Sequence, residues 1–442
     1  MNKMTAADLC AVSPLTRLQT SWLGKKYTTY LKKYAFINWF VGYLWRYGYP
    51  FYIGIGVTKR KAKRWRKLTS LYEFSKNKEC PVYKMLDAVS VKTPMPKVFP
   101  FCDQDYLASP HEQYEFPEIF VAVMNNATVF GRTNFIVTDG EIVCHDLYDF
   151  ERDYTSEELH GRAVIDPVSK RIRWLHHDEA PIRVPKAAAF VDACSTNYAH
   201  WLTEVLPRIS VFCSEERFKE IPIVVDDRLH KNILESLLLV AGAEREVIVL
   251  PVGRALSVDE LYVTSVVGYV PFGRRTNKLS GHSHGMFSST AIELLRKKVH
   301  SFEIIEPQQN WPEKIFLCRN SGARQVINAI ELETQLVNRG YVLIEPEKLS
   351  FLQQVQLFKN AKIIVSPTGA ALANAIFCEP QTQVNILMAK HQAMVYRYWC
   401  NMLMPLQIKV GYALCDMAGS YGSDIHGSYT VNIRDVIDLL ET

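Results

Sequence analysis

The hydrophobic positions between residues 71 and 184 come in short runs broken by turn residues, a pattern that predicts strands rather than helices. In "ATVFGRTNFIVTDGEIVCHDLYDF" two such runs flank Asp139-Gly140, a dipeptide that favours the tight turn of a hairpin. The period changes after Pro185. "AAAFVDA", "IPIVVDD", "EVIVL" and "ELYVTSVV" read as strands, with "KNILESLLLVAG" a helix among them. Beyond the loop "GYVPFGRRTNKLSGHSHGMF" the helix "STAIELLRKKVHSF" leads into a second alternating stretch. There "EKIFLCRN", "YVLIEPE", "AKIIVSP" and "TQVNILM" are strands, separated by helices such as "NAIELETQLVNRG" and "SFLQQVQLFKN". Strands alternating with helices predict parallel β-α-β units. The expected architecture is α/β, with an arm over 1–70, a small β-rich region over 71–184, and open α/β units over 185–295 and 296–442. Two such units in tandem leave a cleft, and ligands bind beyond the carboxyl ends of their strands.

One stretch departs from this plain alternation. In "NYAHWLTEVLPRI", residues 197–209, helical spacing sets Leu202, Val205, Leu206, Ile209 and Phe212 on one face. His200, Glu204 and Arg208 fall on the other, each four residues from the last. Pro207 cannot donate the backbone bond to Thr203, so the pattern predicts a kinked helix or a short one followed by a second starting at Pro207. The polar stripe is either a solvated face or a face turned toward a site.

Composition adds little until it is located. With 442 residues, 48% hydrophobic and 22% charged, the chain is long enough for two or three domains and has no bias toward disorder. The net charge of +5 is concentrated, since residues 21–70 hold twelve Lys and Arg and no acid. In the same stretch "YLKKYAFINWFVGYLWRYGYPFYIGIGV" is aromatic-rich and interrupted by Arg46, Gly48 and Pro50. That composition suits the headgroup layer better than a membrane span, and the pattern predicts that residues 21–68 dock on an anionic membrane surface. Packing of the aromatics on protein is the alternative. No nucleic-acid motif is present, so nucleic acid is not an expected partner. Ten scattered cysteines without a Cys-x-x-Cys pair predict reduced thiols and no zinc site. With no apolar leader at the start, the expected location is cytoplasmic, peripheral to the inner membrane.

"NYAHWLTEVLPRI", "FLCRNSGARQVINAIELE" and "LSFLQQVQLFKNAKIIVSPTGAALANAIF", in this order and spacing, resemble glycosyltransferase family 61 over about residues 197–440. The resemblance implies a GT-B fold of two Rossmann-like domains and an inverting transfer from a nucleotide-sugar donor, with no metal or other cofactor. The family includes enzymes that build bacterial surface polysaccharides such as capsule or lipopolysaccharide, so a glycan or lipid-linked acceptor and a hexosyl or pentosyl donor are expected. Thr368 stands where the family often has a histidine, which leaves the backbone of that loop, and not an imidazole, to act there. Asp103-Gln104-Asp105 has the Asp-x-Asp form that holds a metal in another class of sugar transferases. Here it sits in a Pro-rich stretch with no strand predicted before it, which reads as a surface loop.

Such a transfer needs a cradle for the diphosphate, a counter-charge for the leaving group and a base for the acceptor hydroxyl. In "VSPTGAALAN" a strand runs into a turn and then a helix, and small residues at Thr368, Gly369, Ala370 and Ala371 let backbone N–H groups approach an anion. Asn374 is expected to fix that turn or a ribose hydroxyl. Arg319 and Arg324 fall where side chains meet a ligand at a sheet's carboxyl edge and supply the charge that a metal otherwise would. Asn328 caps the next helix or touches the donor, and Glu347 is a candidate acceptor for ribose hydroxyls. On the acceptor side Asn197 is a candidate substrate contact, Glu204 is the first choice of base with His200 beside it, and Arg208 orients the carboxylate or holds an anionic group. Two rival readings are a GT-B-like polysaccharide pyruvyltransferase and an inactive homologue acting as a membrane-docked assembly subunit.

Overall fold

The strand-rich region and the first α/β unit build one sheet rather than two bodies. A computed structural model describes residues 65–107, 112–159, 162–174, 181–271, 273–274, 285–302, 310–320, 324–391, 397–418 and 427–441. Its eleven-stranded sheet runs in the order Ala163–Asp166, Arg171–Trp174, Trp65–Ser70, Glu141–Cys144, Ile136–Thr138, Ile119–Phe130, Ala255–Thr264, Ile182–Ala189, Ile223–Asp226 and Val247–Leu250. Val82–Leu86 adds to Ile119–Phe130. The fusion comes from Ile119–Phe130, which is buried along most of its length and pairs antiparallel with Ala255–Thr264 from Ala255↔Phe130 to Thr264↔Val121. A strand that apolar on both faces must be covered on both sides, which draws the flanking hairpins onto the α/β core.

The last four strands of that sheet are parallel. Chain order runs outward from Ile182–Ala189 through Ile223–Asp226 to Val247–Leu250, then returns to Ala255–Thr264 on the other side. The direction reverses between Ile182–Ala189 and Ala255–Thr264. In such sheets a crevice opens beyond the strand ends at the reversal.

The second sheet repeats this plan. Val342–Ile344, Lys314–Leu317, Ile363–Pro367, Gln383–Ala389 and Lys409–Met417 lie side by side, all parallel, with the reversal between Lys314–Leu317 and Ile363–Pro367. Helices cover it, among them Phe351–Asn360, which opens with a reciprocal capping box between Ser350 and Gln353. Lys97–Phe99 crosses from the first half of the chain to pair with Lys409–Met417. One apolar core runs through both halves, including Trp201, Leu202 and Leu206 from the motif helix and Leu372, Phe377 and Trp399 from the second unit.

Two expectations need correction. Trp65–Ser70 is a strand inside the large sheet, parallel to Glu141–Cys144 and antiparallel to Arg171–Trp174, so the body claims residues assigned above to the arm. The adjacent basic residues Arg66 and Lys67 mask the strand within a basic run, although Leu68 and Thr69 after them are buried. The rest of the basic, aromatic arm lies outside the described residues. Asp103 and Asp105 do not sit in a loop without a preceding strand: they lie in a 3-10 helix, Phe101–Leu107, directly after Lys97–Phe99. There Asp103 pairs with Lys390 at 3.1 Å. Among the described residues no helix is long and apolar enough to cross a membrane, and no three His, Cys, Asp or Glu side chains gather as metal ligands would. The nine described cysteines are all free thiols.

Candidate active site

The motif helix starts where Asn197 caps it, its side chain accepting from the Ala199 N–H at 3.0 Å. The first turn is α-helical over Tyr198–His200, the next is a π-helix over Trp201–Val205, and an α-helix continues over Leu206–Cys213. In the π turn the Leu206 N–H reaches back five residues to the Trp201 carbonyl. Pro207 then falls in the first turn of the following segment, where a missing N–H costs little. The widened turn absorbs the proline without a break. Such turns recur at functional sites because they re-aim side chains.

The solvated-face reading of the stripe fails. Every residue from Trp201 to Phe212 is buried, with Glu204 9% exposed and Arg208 4%. The Trp201 indole N–H donates to Ser236 Oγ at 2.8 Å, which fixes the helix on its neighbour Lys231–Ala241. Within the stripe His200 Nδ1 and Glu204 Oε1 are 2.6 Å apart and share a proton. Burial pushes the Glu204 carboxyl above the usual carboxylate range, and the nearby Asp192 adds to this, while His200 and Arg208 only partly offset it. Burial also disfavours charge on His200, yet the Glu204 carboxylate outweighs it and holds the imidazole above its ordinary value. Both shifts are upward, so the pair holds its shared proton to higher pH than a free imidazole would. Arg208 is lowered by burial, partly restored by Asp192 and Glu204. Its guanidinium lies 5.8 Å from the centre of the Phe190 ring.

Glu204 and Arg208 line a small cavity at the reversal point of the first sheet. Asp192, just past Ile182–Ala189, and Gly268 and Tyr269, just past Ala255–Thr264, supply its sheet-edge wall, with His145 and Tyr148 beside them. Asp192 is held by Asp226, whose Oδ2 accepts the Asp192 N–H at 2.8 Å and whose Oδ1 accepts the Arg132 N–H at 2.6 Å. Burial pushes Asp226 up to about 6. His145 stacks on Tyr148 with ring centres 3.8 Å apart, and burial and the Arg208 charge push it down to about 3, so it is neutral. None of Asp192, Asp226, His145, Tyr148 and Tyr269 was singled out above. Only Asp192 and Asp226 carried a signal, as acids ending buried strands.

The reversal point of the second sheet carries the other group of candidates. Arg319 follows Lys314–Leu317, and Thr368 and Gly369 follow Ile363–Pro367, its neighbour. Arg319 Nη1 donates to the Thr368 carbonyl at 3.2 Å, so the two motifs close on each other. Gly369 opens a 3-10 helix, Ala370–Phe377, rather than an α-helix, and Ala370 is exposed while Gly369 and Ala371 are half-buried. Arg319 is lowered by burial and by Arg324. Arg324 itself adopts a left-handed backbone, φ 55°, a strained choice for a residue with a side chain. Thr368 is buried, and its hydroxyl accepts the Trp399 indole N–H at 3.1 Å.

Three other candidates have their polar atoms engaged within the protein. Asn374 is fully buried, with Nδ2 donating to Gln354 Oε1 at 2.6 Å and to the Ala371 carbonyl at 3.0 Å. Its Oδ1 accepts the Tyr198 hydroxyl at 2.8 Å, so it fixes the turn and ties the two motif helices together. Asn328 stands at the start of Ala329–Val337 but does not cap it with its side chain; it exchanges two bonds with the Val431 backbone, at 2.8 and 2.9 Å. Glu347 Oε1 accepts from Asn320 Nδ2 at 2.6 Å on the exposed rim of the second sheet.

Residues 198–385 match the family model Glycosyltransferase 61. The matched span covers the motif helix, the Arg319 strand end and the Gly369 turn. It supports family 61 for this part of the chain, and that family implies glycosyltransferase activity. No curated protein matches the chain.

Proposed function

We propose that this protein is a metal-independent, inverting glycosyltransferase of GT-B design that moves a hexosyl or pentosyl unit from a nucleotide sugar onto a glycan or lipid-linked acceptor. The observation that carries this reading is the pair of half-buried His200 and buried Glu204, 2.6 Å apart, on a helix that Tyr198 joins to Asn374 in the 3-10 helix after Gly369. A buried carboxylate held by an imidazole suits a general base, because an alcohol is a poor nucleophile at neutral pH. As the acceptor oxygen bonds to the anomeric carbon, its proton passes to Glu204 and the nucleoside diphosphate leaves from the opposite side. Attack opposite to the leaving group inverts the anomeric centre. Arg319, with Arg324 near it, offsets the charge that collects on the departing diphosphate, and the backbone of the half-buried to exposed turn at Gly369, Ala370 and Ala371 donates to its oxygens. Residues 21–64, with ten Lys and Arg and no acid, supply attachment to anionic lipid on the cytoplasmic side of the membrane, at about 1 kcal/mol for each basic residue.

Calorimetric titration of the full chain with nucleoside diphosphates tests this. Binding that survives a strong chelator and weakens at least tenfold in Arg319→Ala is expected. A chain that binds no nucleoside diphosphate is not a transferase of this kind. A chain lacking residues 1–64 that still sediments with phosphatidylserine vesicles would overturn the assignment of the arm alone.

A further inference from the structure

The cavity beside Glu204 has a sharper chemistry than a general acceptor site. Its volume is about 10 Å³, close to what a single water occupies on that measure. Arg208 lines it while 4% exposed, and its Nε and Nη2 have no hydrogen-bond partner among the described residues. Buried donors left open are rare, since each normally finds a partner or a water. The same wall carries the acids Glu204 and Asp192, and Asn134, whose buried Oδ1 has no hydrogen-bond partner among the described residues.

Size and charge both bear on what fills this space. A carboxylate or phosphate exceeds the room of one water, whereas a single hydroxyl group matches it. Arg208 is the one cation in the described lining and already interacts with three acids, Asp192 and Glu204 in the lining and Asp226 behind it. His145 is neutral and adds no positive charge. An entering anion would be buried against carboxylates without a spare counter-charge, an arrangement proteins avoid. A hydroxyl satisfies both sides at once, its oxygen accepting from Arg208 and its hydrogen donated to Glu204 or Asp192.

We infer that this cavity receives one hydroxyl of an uncharged sugar unit, clamped between Arg208 and the Glu204 carboxylate, and that it discriminates against acidic sugars at that position. The inference rests on the transferase reading, which makes that hydroxyl the reacting one and gives Arg208 a positioning task distinct from anion binding.

Saturation-transfer NMR on the full chain provides the test, with methyl glucoside, methyl galactoside and methyl xyloside as neutral probes and methyl glucuronide and inorganic phosphate as anionic ones. At least one neutral glycoside should bind ten times more tightly than the glucuronide, and Arg208→Met should weaken it at least tenfold. Asp192→Asn, which removes one acid and keeps the shape, should narrow the neutral-over-acidic ratio at least threefold. Nucleoside diphosphate binding should be unchanged in both variants, which also shows that they are folded. Binding of glucuronide or phosphate that is tighter than any neutral probe and is lost in Arg208→Met would overturn the inference in favour of an anion site. So would failure of every neutral probe to bind, or their indifference to Arg208→Met. If neutral glycosides bind in an Arg208-dependent way while no nucleoside diphosphate binds, the hydroxyl pocket stands and the transferase reading fails.

Discussion

Gly268 is the position where a single methyl group bears on the motif helix. A Cβ there would lie 2.8 Å from the Thr203 carbonyl oxygen, 2.9 Å from Phe287 Cδ1 and 3.3 Å from Glu204 Cγ. Ordinary contacts begin near 3.4 Å, so the first two neighbours must each give by about half an ångström. Neither gives easily. The Thr203 carbonyl belongs to the π turn and faces Gly268 at the place where Pro207 offers no N–H, and Phe287 is 1% exposed in the core. Overpacking of this kind costs about 1–3 kcal/mol. At about 2 °C per kcal/mol for a large chain, Gly268→Ala should lower Tm by about 2–6 °C. The helix carries Glu204 with it, and misplacement of a catalytic group by about 1 Å costs about a hundredfold. A shift of half that size should reduce kcat by about tenfold at unchanged nucleoside diphosphate affinity. Differential scanning fluorimetry and steady-state donor turnover measure the two effects. A variant with a wild-type Tm and unchanged kcat would show that Gly268 does not set the position of this helix.

Gly369→Ala should behave differently, because its Cβ would overlap the guanidinium end of Arg319, which can swing aside. Tm should stay within about 2 °C while nucleoside diphosphate binding and turnover fall, the latter by about 10²–10³ if Arg319 offsets leaving-group charge; intact binding by calorimetry would remove Arg319 from the donor site. Tyr198→Phe strips Asn374 Oδ1 of the hydroxyl it accepts from and should cost about 1–3 kcal/mol in a urea titration; a loss under about 0.5 kcal/mol would mean that water replaces the hydroxyl. Asp226 and Glu157, both pushed up to about 6 by burial, favour the fold in their protonated forms. Their stabilisation is complete below the unfolded carboxyl range and lost as pH rises through about 6, so the urea midpoint should fall between pH 5 and 7. Asp226→Asn should flatten that fall, and an unchanged slope would refute the assignment.

Much of the α/β plan was legible because it rests on local period. "AKIIVSP" followed by small residues reads as strand, turn and helix from sequence alone, and Arg319 needs only a strand end to place it. The motif helix was legible as a helix, with its break near Pro207 marked. Its π turn was not, because the Thr203 carbonyl in that turn packs against Gly268, a residue from a distant part of the chain. The burial of the polar stripe was equally hidden, since strand ends from distant parts of the first sheet wall it in. His145 and Tyr148 reach the cavity only through the fusion of the strand-rich region with the α/β sheet. Asn328 and Asn374 illustrate the converse: one precedes a helix and the other lies within one, yet the amide of each is taken by Val431 or by Gln354 and Tyr198, partners distant in the chain.

Turnover of Glu204→Gln, measured as nucleoside diphosphate release on a donor and acceptor pair that the wild type uses, tests the central claim most directly. The substitution keeps the shape of the side chain and removes its basicity. A positioned base contributes about 10²–10⁴-fold, so the account predicts a loss of at least a hundredfold with donor affinity within a few-fold of wild type. Near-normal turnover by Glu204→Gln would contradict it: if His200→Ala were then inactive, the proton would go to the imidazole, and if that variant too were active, the chemistry would lie elsewhere.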